Sequence, residues 1–202
     1  MEAPRRPTRE QLEAARGRTI PDVIAPHLSI LFVGINPSLY SAAVGHHFAR
    51  PGNRFWKALH RSGFTARLLS PFEEPELLGS GLGVTNVVRR ATAAADELTV
   101  EELRAGARTL TRKVRRFAPR YVAVLGIGAY RSAFDRPRAT IGPQPEDLGG
   151  SRWWVLPNPS GRTAAYQLSD LVAEFGRLRT AAGVVSASRS GRGGPHARRR
   201  GL

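Results

Sequence analysis

Short apolar runs flanked by turn-forming residues alternate along this chain with stretches whose apolar positions recur at helical spacing. The runs Ser29–Val33, Gly83–Val88, Tyr121–Leu125 and Trp153–Leu156 read as buried strands. Between them, residues 8–18 read as a short polar helix with Thr8 as N-cap, and residues 53–63 as a helix with Phe55, Trp56 and Leu59 on its core face. Residues 71–78 form a further short helical stretch. The clearest helix begins after Thr99, with Glu101 and Glu102 in its first turn and Arg112, Lys113, Arg115 and Arg116 near its end. That order of charge complements the helix dipole. Its Leu103, Leu110, Val114 and Phe117 fall on one face and are assigned to the core. Residues 135–150, rich in proline and glycine, read as a loop, and a last helix covers about 168–180. The pair Gly126 and Gly128 lacks the third glycine and the acidic residue of a dinucleotide fingerprint, so it reads as a strand-to-helix turn.

This alternation predicts an α/β chain folded as a three-layer α/β/α sandwich, with a mainly parallel central sheet of four to five strands. The domain is expected over 20–182, preceded by a polar extension, 1–19. After it comes a tail, 183–202, whose Gly, Ser, Ala and Arg composition reads as disordered. No apolar run reaches membrane-spanning length and no secretory signal opens the chain, so the expected compartment is the bacterial cytoplasm, at the nucleoid when acting.

Two strands end in the same tripeptide, Asn36-Pro37-Ser38 and Asn158-Pro159-Ser160. Both turns offer amide groups in place of charge, and both fall at the carboxyl edge of a parallel sheet, where open α/β folds bind ligands. One shared pocket is the expectation. An asparagine there can orient a water molecule but cannot serve as a strong base. Its chemistry therefore requires a leaving group that departs nearly unaided, with the protein supplying position and electrostatic stabilisation. The glycosidic bond of a uracil-like base meets that requirement.

Charge narrows the partner. The formal net charge is +15, of which the extension carries +2 and the tail +5, leaving +8 on the body. A basic folded surface points to a polyanion, foremost nucleic acid. An arginine-biased composition with only two lysines, Lys57 and Lys113, is the competing explanation of that charge. The chain has no cysteine, which excludes disulfides, thiolate zinc sites and cysteine-held iron–sulfur clusters. Its five histidines show no metal-ligand spacing, so neither metal nor cofactor is expected.

Residues 34–57, which read GINPSLYSAAVGHHFARPGNRFWK, closely resemble the first signature region of the mismatch-specific uracil-DNA and thymine-DNA glycosylase family. Leu156-Pro157-Asn158-Pro159-Ser160-Gly161 resembles the second, Gly83-Val84-Thr85 lies between them in the expected order, and the likeness runs from about Ile24 to Arg179. The resemblance implies a uracil-DNA glycosylase-like fold acting as a monomer on double-stranded DNA that contains mismatched or damaged pyrimidines. Asn36 would position the attacking water. Gly34, Ile35, Pro37, Ser41, Phe48 and Asn86 would form the base pocket, with Ile35 touching the base edge and Phe48 stacked on the extruded base. The small Ser41 would leave room near the pyrimidine C5 position. Asn158, Pro159 and Ser160 would shape a turn gripping the DNA backbone, and Gly161 and Arg162 would enter the helix where the base has left.

The chain departs from the family pattern at two of these positions. Arg162 stands where the bacterial pattern has leucine, and Asn86 where some relatives carry lysine. The implied reaction is hydrolysis of the N-glycosidic bond of uracil, and of bulkier adducts such as ethenocytosine, opposite guanine, leaving an intact abasic site. Two other readings compete: a DNA-binding module that has lost its chemistry, and a base-flipping amino-methyltransferase. The latter needs a glycine-rich cofactor loop where Gly34-Ile35-Asn36-Pro37 stands.

Overall fold

The computed structural model describes residues 6–161 and 165–187. Its sheet is built from β1 (Ile30–Gly34), β2 (Leu82–Asn86), β3 (Tyr121–Leu125), β4 (Gly142–Asp147) and β5 (Arg152–Leu156), in the order β2-β1-β3-β5-β4. The four strands expected from sequence run parallel, with Ile30 paired to Leu82 and to Tyr121, and Tyr121 to Arg152. Alternate residues face opposite layers. Ile30 and Phe32 of β1 point into one core with Tyr121, Ala123 and Leu125 of β3, while Leu31 and Val33 point into the other with Val122 and Val124.

The first layer is α3 (Phe55–Arg61), α6 (Leu168–Ala181) and a 3₁₀ segment, Pro71–Ser80; the second is α4 (Val100–Phe117) and α5 (Ile127–Phe134). Both faces are therefore covered, as an apolar parallel sheet requires. Phe55 and Trp56 belong to the first core. At its centre Phe32 is fully buried, stacked on Phe175 of α6 at 5.7 Å and edge-on to Phe55 of α3 at 5.5 Å and Phe64 at 5.6 Å. This cluster clamps the layer to β1.

Three features differ from the sequence expectation. Residues 142–147 are a strand, β4, where a loop is expected. Pro143 and Pro145 hide it, yet proline is tolerated on a sheet edge, and β4 is an antiparallel edge strand whose register shifts between Pro143 and Asp147. A helix, α2 (Leu39–Val44), follows the first Asn-Pro-Ser turn; with six residues it is too short to show a period, and Ser38 caps it through Ser41 N–H. Of the N-terminal stretch, residues 1–5 lie outside the described residues, and the part from Thr8 onward packs against the rest of the chain. Thr8 and Gln11 form the capping box of α1 (Arg9–Ala14), and Ala15 and Ile20 are buried against Leu39, Ala42 and Ala91. Gly17 N–H donates to Ala91 O at 3.0 Å, and Ala91 N–H to Arg18 O at 2.9 Å.

Of the expected tail, 188–202 lie outside the described residues. Within 183–187, Val184 packs on the first core and Ala187 N–H donates to Gly63 O at 3.0 Å. Among the described residues no helix is long and apolar enough to cross a membrane.

Helix α4 opens on a capping box between Thr99 and Glu102, and Glu102 also takes Arg90 Nη2 at 2.8 Å. The Arg90 guanidinium first, and the Thr99 N–H second, hold the Glu102 carboxyl down to about 2, from 4.5. A carboxyl depressed on folding stabilises fully above its unfolded value and loses that contribution as pH falls through the folded one. Glu102→Gln, which keeps a capping residue, should therefore flatten the decline in melting temperature between pH 4.5 and about 2; an unaltered acid limb would refute the assignment. Phe32→Ala should cost about 3–5 kcal/mol in urea unfolding, and a loss below about 1 kcal/mol would show that the aromatic cluster does not clamp β1.

Candidate active site

Strand β1 leads to β2 on one side and has β3 on the other, so the sheet's topological switch point lies between β1 and β3. A cavity of about 360 Å³ opens there, at the carboxyl ends of the strands. Gly34, Ile35, Asn36 and Pro37 line it from the end of β1, Asn86 from β2, Leu125 from β3, and Asn158, Pro159 and Ser160 from the loop after β5. Ser41 and Phe48 complete the group that the sequence singles out. The structure thus brings these residues together around one space. Gly161 follows Ser160 and packs on the neighbouring loop: a Cβ there would stand 2.6 Å from Gly52 O. Arg162 lies outside the described residues.

Asn36 is half-buried, and its amide orientation follows from its partners. Nδ2 donates to Arg90 O at 3.1 Å and to Thr92 Oγ1 at 2.7 Å. The Thr92 hydroxyl has its own proton engaged with Ala94 O at 2.7 Å, so it can only accept from Asn36. Both neighbours are acceptors, which fixes the NH2 towards them and leaves Oδ1 as the acceptor available to a water or a substrate. The segment that supplies these partners is itself zipped to the Asn36 loop. Thr92 N–H donates to Pro37 O, and Leu39 N–H to Thr92 O, both at 3.2 Å. Thr92, buried to 1% exposure, is not marked by any sequence pattern. Its role arises only from the tertiary contact between the residues after β2 and the turn after β1.

The cavity floor is set by Phe48, a non-glycine residue at φ 54°. That conformation costs about 1–3 kcal/mol and persists only where surroundings enforce it. Three bonds do so here. Glu74 Oε2, from the buried side of the 3₁₀ segment, accepts His47 N–H at 2.7 Å; Trp56 Nε1 donates to His47 O at 3.3 Å; and Ala49 N–H donates to Ser41 Oγ at 3.1 Å. The Phe48 ring then stacks on Phe55 at 4.2 Å. His46 is half-buried, with Nδ1 3.1 Å from Glu74 Oε1. His47 is 2% exposed, and that burial pushes its imidazole below the ordinary 6.5, so the ring is neutral at neutral pH. Glu74 is a second residue with no sequence signal; it reads there as one more acid in a charged stretch.

The two loops are joined by Arg54, the residue just before α3. Its N–H donates to Pro159 O at 3.0 Å, Nη2 to Ser160 O at 2.7 Å, and Nη1 to Tyr166 O. Asn158 closes its own turn, with Oδ1 accepting Ser160 N–H at 2.9 Å. Among the described lining residues the ionisable ones are His47, Arg50 and Asp96, the last two exposed. Besides the neutral His47 ring, the interior polar groups are amides and hydroxyls. Such a site can bind a neutral planar ring and hold a water, and it sets no buried carboxylate against a developing anion.

A solution NMR structure of a candidate uracil DNA glycosylase from Methanosarcina acetivorans is similar in fold, with a TM-score of 0.53 and 21% sequence identity over 81% of this chain and 98% of that one. The family model of the uracil DNA glycosylase superfamily matches residues 21–177. That span takes in both Asn-Pro-Ser loops, the strand between them that carries Asn86, and the Thr92 segment that anchors Asn36. The chain belongs to the uracil DNA glycosylase superfamily.

Proposed function

We propose that this protein removes uracil from double-stranded DNA, preferentially opposite guanine, by hydrolysing the N-glycosidic bond and leaving an intact abasic site. The observation that carries this reading is the tethering of Asn36 Nδ2 by two acceptors, which leaves Oδ1 to hold a water. Superfamily membership supports the class of reaction. The uracil nucleotide turns out of the duplex, at a cost of a few kcal/mol that is smallest for a mispaired base. Its ring enters the cavity against Phe48. The C1′–N1 bond then breaks with its electron pair passing to the base, and a water hydrogen-bonded to Asn36 Oδ1 adds its oxygen to C1′. The proton lost by that water ends on the departing base or in solvent, because a neutral amide does not retain it.

The lesion strand and the opposite guanine would be engaged by the loop 158–161, held in place by Arg54, together with the adjoining Arg162. Ser41 offers a small side chain where larger pyrimidines, ethenocytosine among them, need space. The product would keep its backbone uncut. Strand cleavage by a Schiff base requires an amine in the pocket, and neither lysine lines the cavity: Lys57 is exposed on α3, and Lys113 is bound to Asp22 and Thr85. A single domain working as a monomer in the bacterial cytoplasm completes the proposal.

Labelled duplexes carrying G·U, A·U, G·T and G·ethenocytosine, with single-stranded uracil alongside, should give alkali-labile product fastest from G·U. No product from any of them would sink the proposal. Asn36→Ala should slow single-turnover excision by about 10²–10³-fold, as loss of one positioned polar group does in other hydrolases, while mismatch binding survives. Thr92→Val removes one anchor of the Asn36 amide; a lost hydrogen bond of about 1.4 kcal/mol corresponds to a rate about tenfold lower with binding unchanged. Wild-type rates in the valine variant would show that Thr92 does not position Asn36.

A further inference from the structure

His47 has both ring nitrogens engaged, and the two contacts together determine where the proton sits. Nε2 lies 3.0 Å from Pro21 O, and Nδ1 lies 3.3 Å from Asn86 Nδ2. A carbonyl oxygen can only accept, so the proton is on Nε2. The neutral ring then presents a lone pair at Nδ1, and Asn86 must turn its NH2 towards it. The other end of the amide, Oδ1, lies against Gly34 on the cavity floor. A Cβ on Gly34 would collide with Asn86 Oδ1 and stand 3.2 Å from the Phe48 ring. The acceptor oxygen and the aromatic face therefore meet in the same corner of the pocket.

Resting on the glycosylase reading above, we propose that His47 is a specificity-determining positioning residue: by fixing the Asn86 amide with its oxygen towards the base, it makes the pocket rank pyrimidines by whether they offer an N–H on that edge. Uracil offers N3–H. In ethenocytosine the added ring bridges N3 and N4, so neither nitrogen carries a proton, and a C–H of that ring stands where uracil has N3–H. Uracil is thus the better substrate, and the margin depends on His47. An imidazolium at this position would donate from both nitrogens and demand the opposite amide orientation. Burial keeps the ring neutral first, and Lys113 of α4 acts the same way, against Glu74 of the 3₁₀ segment and Asp22 of the segment before β1. Glu74 bonds the His47 backbone N–H, so it holds the loop and does not take part in the tautomer.

The test compares single-turnover excision of uracil and ethenocytosine, each opposite guanine in the same sequence, by the wild type and by His47→Leu, which removes the lone pair. The ratio of the two rates is the readout, because a loosened loop slows both substrates alike. The wild type should favour uracil, and the variant should narrow that preference by about tenfold or more, the factor expected when one buried hydrogen bond ceases to discriminate. Nitrogen-15 NMR of labelled histidine in the wild type at neutral pH should show His47 protonated at Nε2. A ratio unchanged in the variant, faster excision of ethenocytosine by the wild type, or a ring protonated at Nδ1 would each overturn the inference. Absence of cleavage of either duplex by the wild type would instead refute the glycosylase reading, and the NMR measurement would then decide the His47–Asn86 arrangement by itself.

Discussion

Where parallel strands leave the sheet, their last peptide groups must find hydrogen-bond partners, and at this edge almost every partner is another neutral group. Val87 and Val88 N–H donate to Gly34 O and Ile35 O, Gly126 N–H donates to Leu156 O, and Thr92 N–H donates to Pro37 O. Unpaired backbone groups at a half-buried edge are costly, so the loops follow paths that pair them. The asparagines complete the pattern in opposite ways. Asn36 has its nitrogen tied by Arg90 and Thr92, with its oxygen open, whereas Asn158 has its oxygen tied by Ser160 N–H. Identical tripeptides therefore play different parts: the first presents an acceptor to the cavity, and the second uses its acceptor to build a turn.

One cation joins these neutral loops. Arg54 precedes α3, which is anchored in the core through Phe55, and its guanidinium reaches across to Ser160 O and Tyr166 O of the second loop. Hydrogen bonds from a charged donor are about twice as strong as neutral ones, and the planar fork satisfies several acceptors at once. Arg54 also brings its positive charge beside the loop proposed to meet the DNA backbone. Position and charge come from the same side chain.

The fold was largely legible in the sequence because buried parallel strands are short apolar runs and α4 has an unambiguous cap, charge order and period. What escaped detection has physical causes. Strand β4 carries two prolines that only an edge tolerates, and α2 is too short to establish a period. The site was legible where a local turn marks it, at Asn36 and Asn158. It was not legible at Thr92, Glu74 or Arg54, whose parts depend on contacts between segments far apart in the chain. His47 was visible only as one of two adjacent histidines, and the sequence does not say which of them turns inward. Its ring acquires a defined tautomer only when Pro21 O and Asn86 converge on it.

The same network explains why residue 36 is an amide and not an acid. A carboxylate there would face Arg90 O and the Thr92 hydroxyl, whose proton is already engaged with Ala94 O, so each carboxylate oxygen near them would meet an acceptor. That arrangement is repulsive, and it leaves buried groups unpaired. To accommodate an acid, the Thr92 hydroxyl would have to turn away from Ala94 O and the Arg90 carbonyl would have to move, undoing the zipper between the two segments. A carboxylate would also bring negative charge beside a base that leaves as an anion. The surroundings of Asn36 therefore favour a neutral residue twice over, once through the two acceptors that hold its nitrogen and once through the charge that the proposed reaction develops.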